Sequence, residues 1–197
     1  MIQIMKYLKY FLNYLFSLVY DFYYFFFGSI SKRIVGISYY KKSKLYPDYL
    51  KVGGMSEAVK YLAKKYCQGK GVDVGGGKWP IEEARVIENK VEENAYLIKE
   101  KDNSLDFVFS SHTLEHLERW QEALKEWHRV LKPNGILFLY LPHPSVKMWQ
   151  KESLKFHKWT PDPITVSDFL EKNLNMKIEK ITFSPDGYLS FLIIARK

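Results

Sequence analysis

Residues 71–80 read GVDVGGGKWP, a short strand-like run that ends in three consecutive glycines. Apolar residues on either side of Asp73 suit the buried centre of a parallel sheet, and glycines at its end let the chain turn sharply and let a ligand touch the backbone. The dinucleotide fingerprint G-x-G-x-x-G would need its third glycine at position 80, where this chain has Pro80. The close helix–strand packing that the third glycine serves is therefore not supported. What survives is Asp73, Gly75 and Gly77, a carboxylate at a strand end followed by alternating glycines. Such a loop suits a ligand that carries an amino acid and a ribose but no pyrophosphate.

The downstream sequence supplies an α/β frame for that loop. In SLDFVFSSHTLEHL (104–117) a strand, Phe107 to Phe109, runs into Ser110, Ser111 and His112, and a helix is expected from near Leu114. Trp120, Leu124, Trp127 and Leu131 then recur at helical spacing, with Pro133, Asn134 and Gly135 as stop and turn. ILFLYLP reads as a buried strand closed by Pro142. The last part reads as one helix, PITVSDFLEKN, and an antiparallel strand pair joined at SPDG. Ahead of the loop, Ser56 is placed as N-cap of a helix with Ala58, Val59, Leu62, Ala63 and Tyr66 on its inner side.

Four blocks in order, VDVGGG, ENAYLI, LDFVFSSHTLEHL and RVLKPNGILFLYLP, resemble the class I S-adenosylmethionine-dependent methyltransferases, especially the compact branch acting on small molecules, lipids and sugars. The resemblance covers about residues 54–197. It implies a Rossmann-like, mostly parallel twisted sheet flanked by helices with an antiparallel C-terminal strand pair, and S-adenosylmethionine as cofactor. It also implies cofactor contacts from Asp73, Gly75, Gly76 and Gly77, from Ser110 and Ser111, and from Asn94 and Ala95 beside the adenine. The ribose acid of the family falls on Glu88, with Glu82, Glu83 and Glu92 as rivals. Lys78 or Trp79 is left to face the methionyl end or solvent.

Only 33 positions separate Asp73 from Asp106, about half of what the family uses for two helices and two strands. The helix after the glycine loop is therefore expected to be absent or reduced to a turn, and the third strand vestigial.

Methyl transfer to a hydroxyl needs a place for the hydroxyl proton, and histidine within hydrogen-bond reach is the usual solution. Ligands of open α/β sheets lie at the carboxyl ends of strands. That rule singles out His112 and His143 as catalytic candidates, each as base, acceptor contact or structural donor. His116 and His128 fall within helical patterns and are read as packing or capping residues. His157 and Trp159 lie in a polar and aromatic stretch where the family builds its acceptor lid. Histidines and carboxylates are read as scattered, and no metal is expected.

A chain of 197 residues suits one catalytic domain with an appendage. A single cysteine, Cys67, excludes an internal disulfide and suits a reducing, cytoplasmic compartment. The +8 net charge is dispersed, so it is read first as solvated surface and second as attraction to an acidic membrane or substrate. No nucleic-acid partner is expected, since SSHT stands where amino-methylating relatives carry an Asn/Asp-Pro-Pro-aromatic motif.

Residues 1–30 are rich in aromatic and apolar residues, and they separate into two arcs at 100° per residue. Lys6, Lys9, Asn13, Ser17 and Asp21 lie on one arc, and Phe11, Leu15, Leu18, Phe22 and Phe25 on the other. Three readings follow: an interfacial helix on the anionic inner face of a membrane, a helix packed on the protein itself or on a second copy, and a spanning anchor. Residues 31–53 read as a connector. The leading expectation for function is an S-adenosylmethionine-dependent methyltransferase acting on oxygen of a small-molecule, sugar or lipid-linked glycan acceptor. The rivals are a non-catalytic, membrane-associated relative and a nicotinamide-dependent oxidoreductase.

Overall fold

The computed structural model describes residues 55–186 and 188–197. The chain divides between Val52 and Gly53, and these residues all belong to its second part. The expectations for residues 1–30 and 31–53 fall outside the described residues. Among the described residues no helix is long and apolar enough to cross a membrane.

Six strands form one sheet: β1 (Gly71–Val74), β2 (Ala84–Ile87), β3 (Leu105–Ser111), β4 (Leu131–Pro142), β5 (Lys177–Ile181) and β6 (Ser190–Arg196). Their order is β2-β1-β3-β4-β6-β5, with β2, β1, β3 and β4 mutually parallel and β6 antiparallel to both its neighbours. This is the mixed, mostly parallel sheet expected of a Rossmann-like methyltransferase, and the C-terminal strand pair is antiparallel as expected. Among the described residues three α-helices accompany it: α1 (Lys60–Tyr66), α2 (Trp120–Val130) and α3 (Pro163–Leu174).

The shortened half has the expected form. Turns alone carry the chain from β1 to β2, and between β2 and β3 the only pairing is an isolated bridge, Asn94 with Leu97. The sheet therefore lacks one edge strand, and what the resemblance counts as its fourth and fifth strands are β3 and β4 here.

Burial explains the central strands. Phe107, Val108 and Phe109 of β3 and Leu137, Phe138, Leu139 and Leu141 of β4 are wholly buried, as parallel strands covered on both faces require. Helix α2 buries Trp120, Ala123, Leu124, Trp127 and Val130 along one stripe against this sheet. Helix α3 starts on Asp162, whose carboxylate accepts from the amides of Ile164 and Thr165, with Pro163 at the first helical position. It ends on Asn175 in the left-handed conformation.

Three expectations are corrected. The helix expected from near Leu114 is instead a single 3₁₀ turn, Leu114–His116, and α2 begins only at Trp120. Trp159 Nε1 donates to the Leu114 carbonyl (2.8 Å) and Lys158 N donates to the Glu115 carbonyl (2.8 Å), so the acceptors of a continuing helix are already taken. Leu131 belongs to β4 rather than to α2, because Pro133 cannot serve the carbonyl four residues back. The carbonyls of Arg129 and Val130 are capped by the amides of Asn103 and Ser104. Finally, Ser56 is not an N-cap: it lies in a 3₁₀ turn (Met55–Val59), and its hydroxyl donates to the Trp79 carbonyl at the glycine loop (3.0 Å).

Candidate active site

The glycine loop leaves β1 at the carboxyl end of the sheet. Gly75 N donates to Ile87 O (2.9 Å), which draws the loop toward the end of β2. Gly75 (φ 85°) and Gly77 (φ 52°) both occupy the left-handed region, where glycine is the residue at least cost. A Cβ on Gly75 would collide with the Thr113 side chain, whereas a Cβ on Gly77 would have as its nearest neighbour among the described residues the Gly75 carbonyl at 3.9 Å. One glycine thus serves the protein's own packing, and the other keeps an open approach to the backbone.

Asp73 sits beneath the loop, almost wholly buried. Its Oδ2 accepts from Ile81 N (3.0 Å), and its Oδ1 has no hydrogen-bond partner among the described residues. Burial pushes this carboxyl up to about 7, and the Ile81 amide pulls it only partly back. A buried carboxylate oxygen without a donor fits a polar or cationic ligand group arriving from the loop side.

The other expected cofactor residues differ in what they have free. Glu88 follows β2 directly and is exposed, next to the loop in the sheet, with Lys90 Nζ at 3.9 Å. Asn94 spends its amide on its own turn: Oδ1 accepts from Tyr96 N (2.9 Å) and Nδ2 donates to Lys90 O (3.1 Å). Ala95 is buried, and its carbonyl accepts from Trp127 Nε1 (2.9 Å). Ser110 is wholly buried and donates to Val74 O (3.1 Å), so it fastens β3 to β1 and offers no hydroxyl to a ligand. Ser111 is the reverse case, with a buried Oγ that has no partner. Lys78 is exposed, and Trp79 is half-buried with its amide on Gly76 O. Of the rivals to Glu88, Glu82 is exposed beside Lys64, 4.0 Å away.

His112 closes β3 with φ 50°, an uncommon conformation for a residue with a side chain and one that clusters at functional sites. Its ring packs against Tyr140 and edge-on against Trp149. The direction of its hydrogen bonds can be derived. Ser190 Oγ donates to the Tyr188 carbonyl (3.1 Å), so it accepts from His112 Nε2–H (2.8 Å), and His112 Nδ1 keeps its lone pair. That nitrogen lies 3.5 Å from Glu115 Oε1. Burial drives His112 down to about 3, with His157 and His116 adding to the effect. His112 is therefore a neutral imidazole.

Both ring nitrogens of His143 have protein partners: Nε2 donates to the Phe183 carbonyl (2.9 Å), and Nδ1 accepts from Ser145 N (3.2 Å) and lies 2.8 Å from Ser145 Oγ. It holds the loop after β4. Trp159 is likewise engaged, stacked on Trp120 at 4.4 Å and bonded to Leu114. His128 lies in α2 as expected.

The spacing rules missed Glu115 and misread His116. Because the chain breaks into a 3₁₀ turn there, His116 does not lie on a helix face. One donor atom each from Glu115, His116 and His157 lies within 4.8 Å of the others. The Glu115 carboxyl is fully buried with neither oxygen hydrogen-bonded, and burial pushes it up to about 8. The signal was present in the sequence, since His112 and His116 stand four apart with Glu115 between them.

Comparison with known proteins agrees with this fold. Residues 50–139 match the family model described as a methyltransferase domain. Among curated proteins none matches the sequence. The fold is similar to that of a SAM-dependent methyltransferase from Methanosarcina mazei (18% identity, TM-score 0.53, 69% of this chain and 96% of that chain). It is also similar to one from Aquifex aeolicus (17%, 0.54, 76% and 93%). A third, from Mesorhizobium loti, aligns at 14% identity with TM-score 0.52 over 67% and 93%. The matched model and these structures agree with the methyltransferase-like fold that the sequence resemblance implies.

Proposed function

We propose that this domain methylates an oxygen of a small-molecule, sugar or lipid-linked glycan acceptor. The bound cofactor supplies an electrophilic methyl group on a sulfonium sulfur. The backbone of Gly75, Gly76 and Gly77, the unpaired Asp73 Oδ1 and the exposed Glu88 are the groups of this chain that would hold it.

The observation that carries the oxygen reading is His112. Its neutral imidazole presents Nδ1 as a lone pair, and its Nε2–H is fixed by Ser190. Its neighbour Thr113 packs against the glycine loop. A hydroxyl brought to this edge of the sheet meets a proton acceptor whose orientation is already set, and orientation is most of what such a displacement asks of a protein. Burial lowers the proton affinity of His112, so the histidine works only while a negative group balances the imidazolium, and Glu115 is the adjacent candidate. His143 acts as a positioning residue for the loop that follows β4.

His112→Ala is expected to lower turnover by about 100-fold or more, the scale of lost acid–base catalysis, while cofactor affinity changes by less than about threefold. Calorimetry with S-adenosylmethionine and single-turnover methyl transfer read the two quantities. Turnover unchanged in the variant would remove the role.

We further propose that residues 1–30 tether the enzyme to an anionic membrane surface, which would bring it to lipid-linked acceptors. Deleting residues 1–30 should then release the protein from anionic vesicles in a sedimentation assay. Equal sedimentation with and without the segment would discard the tether.

A further inference from the structure

The polar groups around Glu115 have donors facing outward and lone pairs facing inward. His116 Nδ1 lies 3.3 Å from the Phe156 carbonyl, and His157 Nδ1 lies 2.6 Å from the Trp149 carbonyl. A carbonyl only accepts, so each Nδ1 carries the proton and each Nε2 a lone pair. His116 Nε2 is 3.9 Å from Glu115 Oε1, and His112 Nδ1, also a lone pair, is 3.5 Å from the same oxygen. Two imidazole lone pairs, with a His157 ring nitrogen within 4.8 Å, thus lie around a buried carboxyl that receives no hydrogen bond from the described residues. One proton on Glu115 satisfies a single nitrogen of the three, whereas a cation at the centre satisfies several together.

We propose that Glu115, His116 and His157 form a binding site for a divalent first-row transition-metal ion, bordered by His112. Two imidazoles and one carboxylate make the three-ligand set of sites that keep an open coordination position. The Nδ1–H bonds to Phe156 and Trp149 are the outer contacts that fix the tautomer and ring orientation of metal-bound histidines. Metal–ligand bonds of about 2.0–2.2 Å in a tetrahedral site place ligand atoms roughly 3.3 Å apart. The present spread of up to 4.8 Å therefore closes by about an ångström or more on binding. His116 is partly exposed, with 37% of its side chain accessible, and provides the way in and the open side.

The site adjoins the glycine loop through Thr113. Resting on the methyl-transfer reading, the ion has a further consequence. A bound ion would make an acceptor hydroxyl at its open side more acidic, His112 Nδ1 is the group of this chain placed to take that proton, and Glu115 as a ligand would supply the negative charge that His112 needs.

Full-length protein treated with a chelator and dialysed is titrated with Co²⁺, followed by visible absorption and by metal analysis. One equivalent per chain, displaced by Zn²⁺, is expected. Glu115→Gln, near-isosteric, and His116→Ala, at the exposed edge, should each weaken binding by about 100-fold or more with unchanged circular dichroism. No binding by the folded wild type, or equal binding by both variants, overturns the site. S-adenosylmethionine calorimetry on the same samples separates the two proposals. Cofactor bound without metal removes only this site, and metal bound without cofactor removes the methyl-transfer reading and leaves the site standing.

Discussion

Gly77→Leu is expected to lose S-adenosylmethionine affinity by about 100-fold or more while the protein stays folded. That loss corresponds to roughly 3 kcal/mol. Two glycines of one loop differ in what a side chain would meet there. At Gly77 a side chain meets nothing among the described residues nearer than the Gly75 carbonyl at 3.9 Å, so it projects into the space where a ligand is expected to approach the backbone. The conformational cost of a non-glycine residue at φ 52° is about 1–2 kcal/mol, which lowers the melting temperature of a chain this size by several degrees. Gly75→Ala differs in kind: its Cβ runs into Thr113 and displaces the residue next to His112, so it costs stability and turnover together. Thermal melts and calorimetry on both variants check the distinction. Wild-type affinity in a folded Gly77→Leu would mean that the cofactor does not lie against this loop.

The same loop shows how far the sequence could be read. Asp73, Gly75 and Gly77 were legible because a strand end followed by glycines at positive φ leaves a local trace, and α2 and β4 were legible because their burial is periodic or continuous. The shortened half was legible from distance alone, since 33 positions cannot hold two helices and two strands. The acceptor side was less so. Ser110 looks identical to Ser111 in the sequence, yet register pairs it with Val74 and commits its hydroxyl there. His116 was taken for a helix residue because nothing local announces that Trp159 and Lys158, more than forty positions away, take the carbonyls such a helix would need. His157 comes to Glu115 through the loop after β4, a long-range closure with no local pattern.

The largest stability effect expected in the described residues belongs to Trp127, and it reaches the cofactor side as well. This residue is fully buried in α2, and its Nε1 donates to the Ala95 carbonyl at 2.9 Å. Trp127→Ala removes an indole from the centre of the core, a change that costs about 3–5 kcal/mol through lost burial and the cavity left behind. Trp127→Phe keeps most of the volume and isolates the polar part. It leaves a buried carbonyl without its indole donor, at about 1–3 kcal/mol. That carbonyl lies within the Asn94–Leu97 bridge, where the resemblance expects a strand, and the same segment is also held by Ile98 N on Glu126 and by Arg129 on the Ile98 carbonyl. Loosening it should weaken S-adenosylmethionine binding by up to about tenfold if this turn flanks the adenine. Urea unfolding of both variants reads the first effect, and calorimetry of Trp127→Phe reads the second. Stability reduced with cofactor affinity intact would detach Asn94 and Ala95 from the cofactor site and leave Trp127 as a core residue alone.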